Sequence, residues 1–124
     1  NSLKTIFEYL LNTKKEIKFL GASPVDYEMM KYYIHWFNKK REKEKINMKL
    51  IYIEKYRKKI PLKFTQVRYL SDSFFNTAAI NIYGDKVAII HWSKDQPFAI
   101  LINQKEIAKG YENHFEELWK IAKK

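Results

Sequence analysis

The chain has 124 residues, of which 46% are hydrophobic and 16% aromatic, and its formal net charge is +10. This apolar content excludes a disordered chain and predicts one domain over residues 1–124 that buries roughly two-thirds of its unfolded surface. Because there is no cysteine, disulfides and thiolate metal sites are excluded. No apolar segment approaches the roughly eighteen residues that span a bilayer and no signal peptide is visible, so we expect a cytoplasmic protein without a membrane partner.

The first half of the chain predicts helices and strands in alternation. Apolar residues at helical spacing predict a helix over residues 2–13, and a short buried strand follows at residues 17–20. A second helix is expected to begin after Ser23 as its N-cap and to run to about Lys45. Residues 48–53 are apolar at nearly every position, which predicts a strand buried on both faces.

The second half predicts several strands covered by one final helix. The expected elements are a strand at residues 66–70, a turn-rich loop at 72–76, a hairpin of strands 78–83 and 87–92, a strand at 98–102 and a helix over 106–122. Within that helix, the spacing predicts a buried face that includes Ile107, Tyr111 and Phe115. Elements in this order predict an α/β fold in which a mixed β-sheet is sandwiched by helices.

The hairpin resembles the catalytic strand and turn of the phospholipase D superfamily. That superfamily carries the signature HxKxxxxD, often with a turn that reads Asp-Gly-Lys, whereas the turn here reads Gly84-Asp85-Lys86. If Gly84 takes the aspartate position, Thr77 takes the histidine position and Ala79 takes the lysine position. The resemblance therefore implies a phospholipase D-like half-unit that has lost its catalytic residues. We expect no enzyme activity and, because metal-ligand motifs such as HExxH are also absent, no metal and no cofactor.

The C-terminal segments narrow the resemblance to one family. Residues 95–103, 106–108 and 114–123 are similar to the effector region of TrmB-like transcriptional regulators, and residues 17–23 and 47–53 are similar to the first two strands of that family. In this mainly archaeal family, an N-terminal winged helix-turn-helix binds DNA and a non-catalytic phospholipase D-like domain follows it. The resemblance implies an effector-sensing domain that forms a homodimer. The DNA-binding domain is not in this sequence, which predicts a fragment or a stand-alone relative.

The resemblance also implies a ligand pocket at the position of the lost catalytic centre. The pocket residues that it implies are Gly21, Ser23, Ser71, Thr77, His91 and Ser93. A small-molecule effector is expected there, but the sugar-binding module of some family members has no counterpart in this sequence. His91 and Ser93 do not predict a catalytic pair, because side chains two residues apart on a strand lie about 7 Å from each other.

The positive charge is concentrated in residues 39–68. Twelve lysines or arginines occur there against three glutamates, which gives a net charge of +9 out of +10 for the whole chain. A cluster without acidic residues, formed by Lys55, Arg57, Lys58 and Lys59, predicts a contact with nucleic acid or another anion as an alternative function. The same segment is also typical of a solvated helix end with local Glu–Lys pairs. The sequence leaves both interpretations open.

Overall fold

The computed structural model describes residues 2–21, 28–57, 62–74, 76, 78–91 and 98–124. The helices in this part of the chain are α1 (Ser2–Asn12), α2 (Glu28–Lys43) and α3 (Lys105–Ile121). The strands are β1 (Ile17–Leu20), β2 (Met48–Ile53), β3 (Thr65–Leu70), β4 (Ala78–Tyr83), β5 (Lys86–His91) and β6 (Phe98–Asn103). Among the described residues, no helix is both long enough and apolar enough to cross a membrane.

The six strands form one mixed sheet in the order β3-β2-β1-β4-β5-β6. The strands β1, β2 and β3 are parallel, whereas β4 pairs with β1, β5 with β4, and β6 with β5 in antiparallel fashion. At the centre of the sheet, Phe19 lies between Leu50 on β2 and Asn81 on β4. The predicted α/β fold with a mixed sheet is therefore confirmed.

The helices cover both faces of the sheet, with α1 and α2 on one face and α3 on the other. On the α1–α2 face, the aromatic rings of Phe7 and Phe37 lie 5.1 Å apart between their centroids. On the α3 face, Phe115 and Trp119 stack with their ring centroids 5.8 Å apart. The first core includes Phe7, Leu10, Ile17, Phe37, Tyr83 and Ile90, and the second includes Ile51, Ile82, Val87, Phe115 and Trp119.

The buried face of α3 differs from the predicted one at its first turn. Ala108, Phe115 and Trp119 are buried, whereas Ile107 is exposed, so the prediction for Ile107 was wrong. The difference arises because adjacent helical residues point about 100° apart, so a face centred on Ala108 turns its neighbour towards solvent. Gln104 caps the N-terminus of this helix, since its side-chain oxygen accepts a hydrogen bond of 2.8 Å from the Ile107 N–H.

Arg41, near the end of α2, is completely buried and bonds to neutral groups. Its Nη1 atom donates to the carbonyl oxygens of Ile46 (2.9 Å) and Phe64 (3.2 Å). Its Nη2 atom donates to Thr65 Oγ1 (2.7 Å) and to Asn38 Oδ1 (3.3 Å), which also accepts from Nε (3.3 Å). A guanidinium has five N–H groups, and five hydrogen bonds engage them. Arg41 therefore joins the end of α2 to the starts of β2 and β3.

We predict that Arg41→Lys lowers the free energy of unfolding by about 2–3 kcal/mol, because an ammonium group has three donors and leaves buried acceptors unpaired. Urea unfolding followed by circular dichroism measures the change. Lys43→Arg, an exposed replacement in the same turn, is the matched control and should change the free energy by less than about 0.5 kcal/mol. Equal effects of the two replacements would contradict the structural role of Arg41.

A second charged side chain is enclosed beneath α3. Lys18 on β1 points to the α3 face, where its Nζ atom lies 2.7 Å from Glu116 Oε1 and 3.6 Å from Glu112 Oε2. Although burial lowers the pKa of Lys18, the hydrogen bond that it donates to Glu116 and the charge of Glu112 raise the pKa overall. The hydrogen bond from Lys18 lowers the pKa of Glu116. Since its pKa is lower in the folded state, Glu116 stabilises the fold at pH values above 4.5, its ordinary pKa, and this contribution disappears as the pH falls.

We therefore predict that Glu116→Gln makes the protein less sensitive to acid. The free energy of unfolding of the wild-type chain should fall more steeply below pH 4.5 than that of the variant, because only the wild type must protonate a Lys18-bound carboxylate. Urea unfolding at a series of pH values between neutral and acid conditions measures both slopes. Glu117→Gln, at the next and more exposed position, is the control and should keep the wild-type slope.

Candidate functional site

The strand ends that carry the predicted pocket residues meet at one edge of the sheet. The strands β1, β2, β3 and β5 run in one direction, and β4 and β6 run in the other. Ligands in α/β proteins bind outside the carboxyl ends of parallel strands. We call this end of the sheet the carboxyl edge, because β1, β2, β3 and β5 all end there, whereas β4 and β6 begin there. The residues at or next to these strand ends are Gly21, Glu54, Ser71, Ala78, His91 and Phe98.

Gly21, Ser71 and His91 all lie on the carboxyl edge, but they are widely spaced. Gly21 follows β1 at the centre, whereas Ser71 follows β3 and His91 ends β5, each about 10 Å away because strands lie about 4.8 Å apart. The Ser71 hydroxyl lies 2.7 Å from the hydroxyl of Ser73. The remaining predicted members lie outside the described residues, namely Ser23, Thr77 and Ser93. The shared pocket therefore stays a prediction, with three of its members on one edge.

Gly21 is buried because two aromatic rings lie against it. A Cβ atom at this position would lie 2.0 Å from Cε1 of Phe19 and 3.0 Å from Cε1 of Tyr52. Its N–H donates to the Ile51 carbonyl oxygen over 3.0 Å, which continues the β1–β2 pairing. Glycine is thus required at the carboxyl edge for close packing, and a ligand reaches Gly21 only if the Phe19 ring moves.

The two rings that cover Gly21 also line a cavity of about 210 Å³, which we call the inner cavity. It lies between α1, α2 and the central strands. Asn38, a polar lining residue, already accepts hydrogen bonds from Arg41. The other walls are mostly aromatic or aliphatic, and include Phe7, Phe19, Phe37, Met48, Leu50 and Tyr52. This volume is somewhat below the roughly 300 Å³ of common ligand pockets, so the inner cavity suits a small, mainly apolar molecule.

Next to the inner cavity, β4 carries two buried polar side chains on the α1–α2 face. Asn81 is 0% exposed and lies opposite Phe19, whose ring lines the cavity. Neither polar atom of the Asn81 amide has a hydrogen-bond partner among the described residues, and the same holds for the Tyr83 hydroxyl. Burial raises the pKa of Tyr83, so its hydroxyl stays protonated. Such groups are costly to bury without partners, which makes Asn81 a candidate for ligand recognition.

The basic segment 39–68 is not one exposed surface. Arg41 is fully buried, as described above. The guanidinium of Arg68 donates to the Trp119 carbonyl oxygen over 2.7 Å and lies 4.4 Å from the Trp119 ring centroid. Lys49 approaches the same ring to 5.4 Å. Counting charges along the sequence therefore overestimates the surface that is available to an anion.

The described part of the predicted anion site is partly neutralised. Nη2 of Arg57 lies 3.0 Å from Glu54 Oε2, and its guanidinium carbon lies 4.0 Å from the Tyr69 ring centroid. The hydrogen bond from Arg57 lowers the pKa of Glu54, so the carboxylate stays charged. Lys55 is exposed. The other two members of this predicted site lie outside the described residues, namely Lys58 and Lys59.

Comparison with known proteins finds neither a family model nor a curated protein that matches this chain. The similarity to TrmB-like regulators therefore remains a prediction from the sequence. Within the described residues, no group of three His, Asp or Glu side chains is placed to hold a metal ion. The inner cavity was not predicted, because its aromatic walls have the same sequence pattern as an ordinary core.

We predict that Gly21→Ala lowers the free energy of unfolding by about 1–3 kcal/mol, because the new methyl group pushes the Phe19 ring away from its position. Gly110→Ala is the matched control, since a Cβ there meets no atom within 4 Å. In the middle of α3, this change should raise the free energy of unfolding by about 0.5–1 kcal/mol. Chemical denaturation of both variants tests the pair, and a neutral Gly21→Ala would contradict the close packing at the carboxyl edge.

Proposed function

We propose that this chain is the effector-binding and dimerisation domain of a TrmB-like DNA-binding transcriptional regulator, and that it has no catalytic activity. In this proposal the domain is a phospholipase D-like half-unit that acts in the cytoplasm. A DNA-binding domain N-terminal to α1 reads the operator. The chain itself senses a small molecule and holds two copies of the regulator together.

The observation that carries the proposal is the inner cavity and its position. It extends along β2 from Met48 to Tyr52, and at the carboxyl edge the rings of Phe19 and Tyr52 separate it from Gly21. This is the edge at which α/β sheets bind ligands. An apolar cavity of about 210 Å³ suits an effector of the size of a single substituted ring, which is smaller than a disaccharide.

A second observation supports an effector with one polar group. Asn81 offers an amide donor and an amide acceptor that no described residue uses. Each buried unsatisfied group costs about 1–3 kcal/mol, so a fold that keeps this amide is less stable than it could be. Asn81 does not itself line the inner cavity, so a ligand reaches its amide only by displacing the neighbouring Phe19 ring. A ligand that does so and bonds to Asn81 removes that cost, and so binds the folded state selectively.

The absence of catalysis in this proposal follows from the residues themselves. Ala79 is buried on β4 and Gly84 begins the following turn. In the register of the resemblance, these residues replace the lysine and the aspartate of the signature. A methyl group and a hydrogen atom offer neither a proton donor nor a charge for phosphoryl transfer.

The proposed mechanism is a shift between two arrangements of the dimer. An effector changes this equilibrium only if it binds one arrangement more tightly than the other. The coupling is reciprocal, so DNA with the correct spacing changes the affinity for the effector by the same factor. Phe19 is the residue that would move, because its ring lies between Gly21 and the inner cavity.

The first test is a native mass spectrum of the purified chain at moderate salt. The proposal expects a dimer, and it expects extra mass when an effector has been retained during purification. The mass of that molecule identifies its chemical class directly. A bare monomer at every concentration would remove the basis for the dimerisation function.

We further predict that Asn81→Leu raises the free energy of unfolding of the ligand-free chain by about 1–2 kcal/mol, because it removes an unsatisfied buried amide without changing the volume greatly. The same replacement should abolish the retained mass, or the thermal stabilisation that the identified effector gives. Asn113→Leu, at an exposed position of α3, is the control and should leave binding unchanged. An Asn81→Leu chain that binds the effector as tightly as the wild type would exclude Asn81 from the site.

An alternative function, direct binding of nucleic acid or another anion, has one observation in its favour. A groove of about 440 Å³ near the end of β3 is bordered by Arg57, Lys123 and Lys124. This alternative expects an affinity for DNA that falls with salt, and a smaller salt dependence after Lys55→Ala and Arg57→Ala. Affinity that these replacements leave unchanged would exclude the alternative.

A further inference from the structure

The inner cavity meets the solvent on the outer side of α2. A second space of about 460 Å³, which we call the outer groove, lies beside it. Three residues line both spaces, and each of them is half-buried, namely Ile34, Asn38 and Leu62. We call these three residues the cavity mouth, because the apolar interior and the solvent-facing groove share them as walls.

The two spaces differ in their chemistry. The inner cavity has mostly aromatic and aliphatic walls, whereas the outer groove adds the polar side chains of His35, Lys39 and Glu42. These three residues follow one another at about one helical turn along α2, beside the row formed by Ile34 and Asn38. A molecule that extends from one space into the other therefore needs an apolar body and a polar end.

The charge around the cavity mouth is positive. Arg41 is buried beside Asn38 and bonds only to neutral acceptors, so no carboxylate is bonded to its guanidinium. Glu42 is the acidic group whose charge acts on Arg41, and its Oε1 atom accepts a hydrogen bond of 3.3 Å from the Lys63 N–H. Lys39 is exposed and forms no ion pair with another described residue. Two cations against one carboxylate favour an anion at this position.

Asn38 transmits the charge of Arg41 to the cavity mouth. Its Oδ1 atom accepts hydrogen bonds of 3.3 Å from both Nε and Nη2 of Arg41. These bonds orient the amide, and its NH₂ group donates to no other described residue. Because hydrogen bonds in a chain polarise one another, an amide whose oxygen is bound to a guanidinium is a stronger donor. Asn38 is therefore suited to bind an anion with its NH₂ group.

We propose that the effector of this domain is an apolar monocarboxylate, with its hydrocarbon part in the inner cavity and its carboxylate at the cavity mouth, bound by the Asn38 amide and the Lys39 ammonium group. This inference rests on the proposed function, because it names the chemical class of the effector. A cavity of about 210 Å³ limits the hydrocarbon part to a single ring or a short chain. Asn81 lies on β4, beyond Phe19, so a polar group that binds there belongs to the opposite end of the molecule.

A carboxylate fits the cavity mouth better than other charged groups. An ammonium group would face the charges of both Arg41 and Lys39, with Glu42 already bonded to the Lys63 N–H. A phosphate with two negative charges exceeds the single net positive charge of this site and would lie close to the Glu42 carboxylate. Half-buried charges are stable only when they are compensated, so one negative charge is the best match.

The test is an NMR titration of the isotope-labelled full chain with benzoate and with hexanoate. Benzamide and hexanamide are their neutral counterparts of nearly the same shape. We expect at least one carboxylate to bind saturably, with a dissociation constant in the millimolar range or below. It should bind about ten-fold more tightly than its amide, because a hydrogen bond to a charged group is stronger. The side-chain NH₂ signals of Asn38 should shift on binding.

Asn38→Asp tests the role of the amide directly. The new carboxylate can still accept both hydrogen bonds from Arg41, so the fold should be kept, which circular dichroism checks. It replaces the donor at the cavity mouth by a negative charge, so the affinity for the bound carboxylate should fall at least about ten-fold. The affinity for the matching amide should stay within about two-fold. Asn113→Asp adds the same charge at an exposed position of α3 and should leave both affinities unchanged.

Lys39→Gln is a second variant that leaves the hydrogen bonds between Asn38 and Arg41 in place. The affinity for the carboxylate should fall about two-fold to five-fold, since ion pairs of exposed lysines are weak. Lys43→Gln is the matched control, because Lys43 lies one turn further along α2 but borders a different groove, beside α1. An unchanged affinity in both Asn38→Asp and Lys39→Gln would overturn the proposal.

The results distinguish this inference from the proposed function. If neither carboxylate binds while the wild-type chain retains another molecule in its native mass spectrum, the carboxylate is wrong and effector binding stands. If acids and amides bind equally well, the cavity is only an apolar site and the inference is overturned. If no probe binds and no molecule is retained, both the inference and effector binding are overturned. Carboxylate binding that Asn38→Asp abolishes supports the inference even in a monomeric chain, which would contradict only dimerisation.

Discussion

The buried guanidinium of Arg41 fixes the arrangement of α2 on the sheet. Its partners are the carbonyl oxygens of Ile46 and Phe64 and the hydroxyl of Thr65, which lie at the starts of two parallel strands. These directional bonds define the position of the helix end independently of how well the core beneath it is filled. The inner cavity lies beside this end of α2, against Asn38, which holds the other side of the guanidinium. A helix held by hydrogen bonds can tolerate a void that a helix held by packing alone would close.

Two backbone turns near Arg41 place its hydrogen-bond acceptors. Lys45 and Phe64 both adopt left-handed conformations, with φ values of 56°. At Lys45 this conformation ends α2, with the Ile46 N–H returning to the Arg41 carbonyl oxygen over 3.1 Å. At Phe64 it turns a carbonyl oxygen towards both Arg41 and the Met48 N–H, which lies 2.9 Å away. Non-glycine residues in this region are costly, and the Arg41 hydrogen bonds offset that cost.

The elements that the sequence predicted well are those whose signals are local. The hairpin of β4 and β5 has a glycine turn, with Gly84 at a φ of 57°, and the covering helix α3 has a clear helical repeat. The role of Arg41 could not be predicted, because its partners are backbone atoms that come together only in the folded chain. The same reason explains why the charge of residues 39–68 suggested a larger basic surface than the structure has. Ile107 was misplaced because an amphipathic pattern leaves the centre of a helical face uncertain by one residue.

The candidate site, like the fold, was predicted from the sequence only in part. The resemblance grouped Gly21, Ser71 and His91 in one pocket, and the structure places these three at one edge of the sheet, about 10 Å apart across two strands. The inner cavity and the free amide of Asn81 were not predictable, since a sequence does not reveal whether aromatic residues fill the space between a helix and a sheet completely. The resemblance to a lost catalytic centre predicted a pocket at the ends of the strands. In the structure, the candidate binding site lies instead in the interior, where Phe19 and Tyr52 lie against Gly21 and line the inner cavity.

The helix α1 connects the inner cavity to the edge of the sheet at β6. Phe7 lines the inner cavity, and Tyr9, two residues further along, lies beside the end of β6. Helices move as rigid units in packed cores, so a ligand that displaces the Phe19 ring and presses on Phe7 also displaces Tyr9 relative to β6. An effector therefore does not need to touch the dimer interface of the proposed regulator to change it. It must only bind more tightly when α1 is in one of its two positions than when it is in the other. The small volume of the inner cavity makes such a difference in affinity easy to produce, because even one added methyl group must move one of the cavity walls.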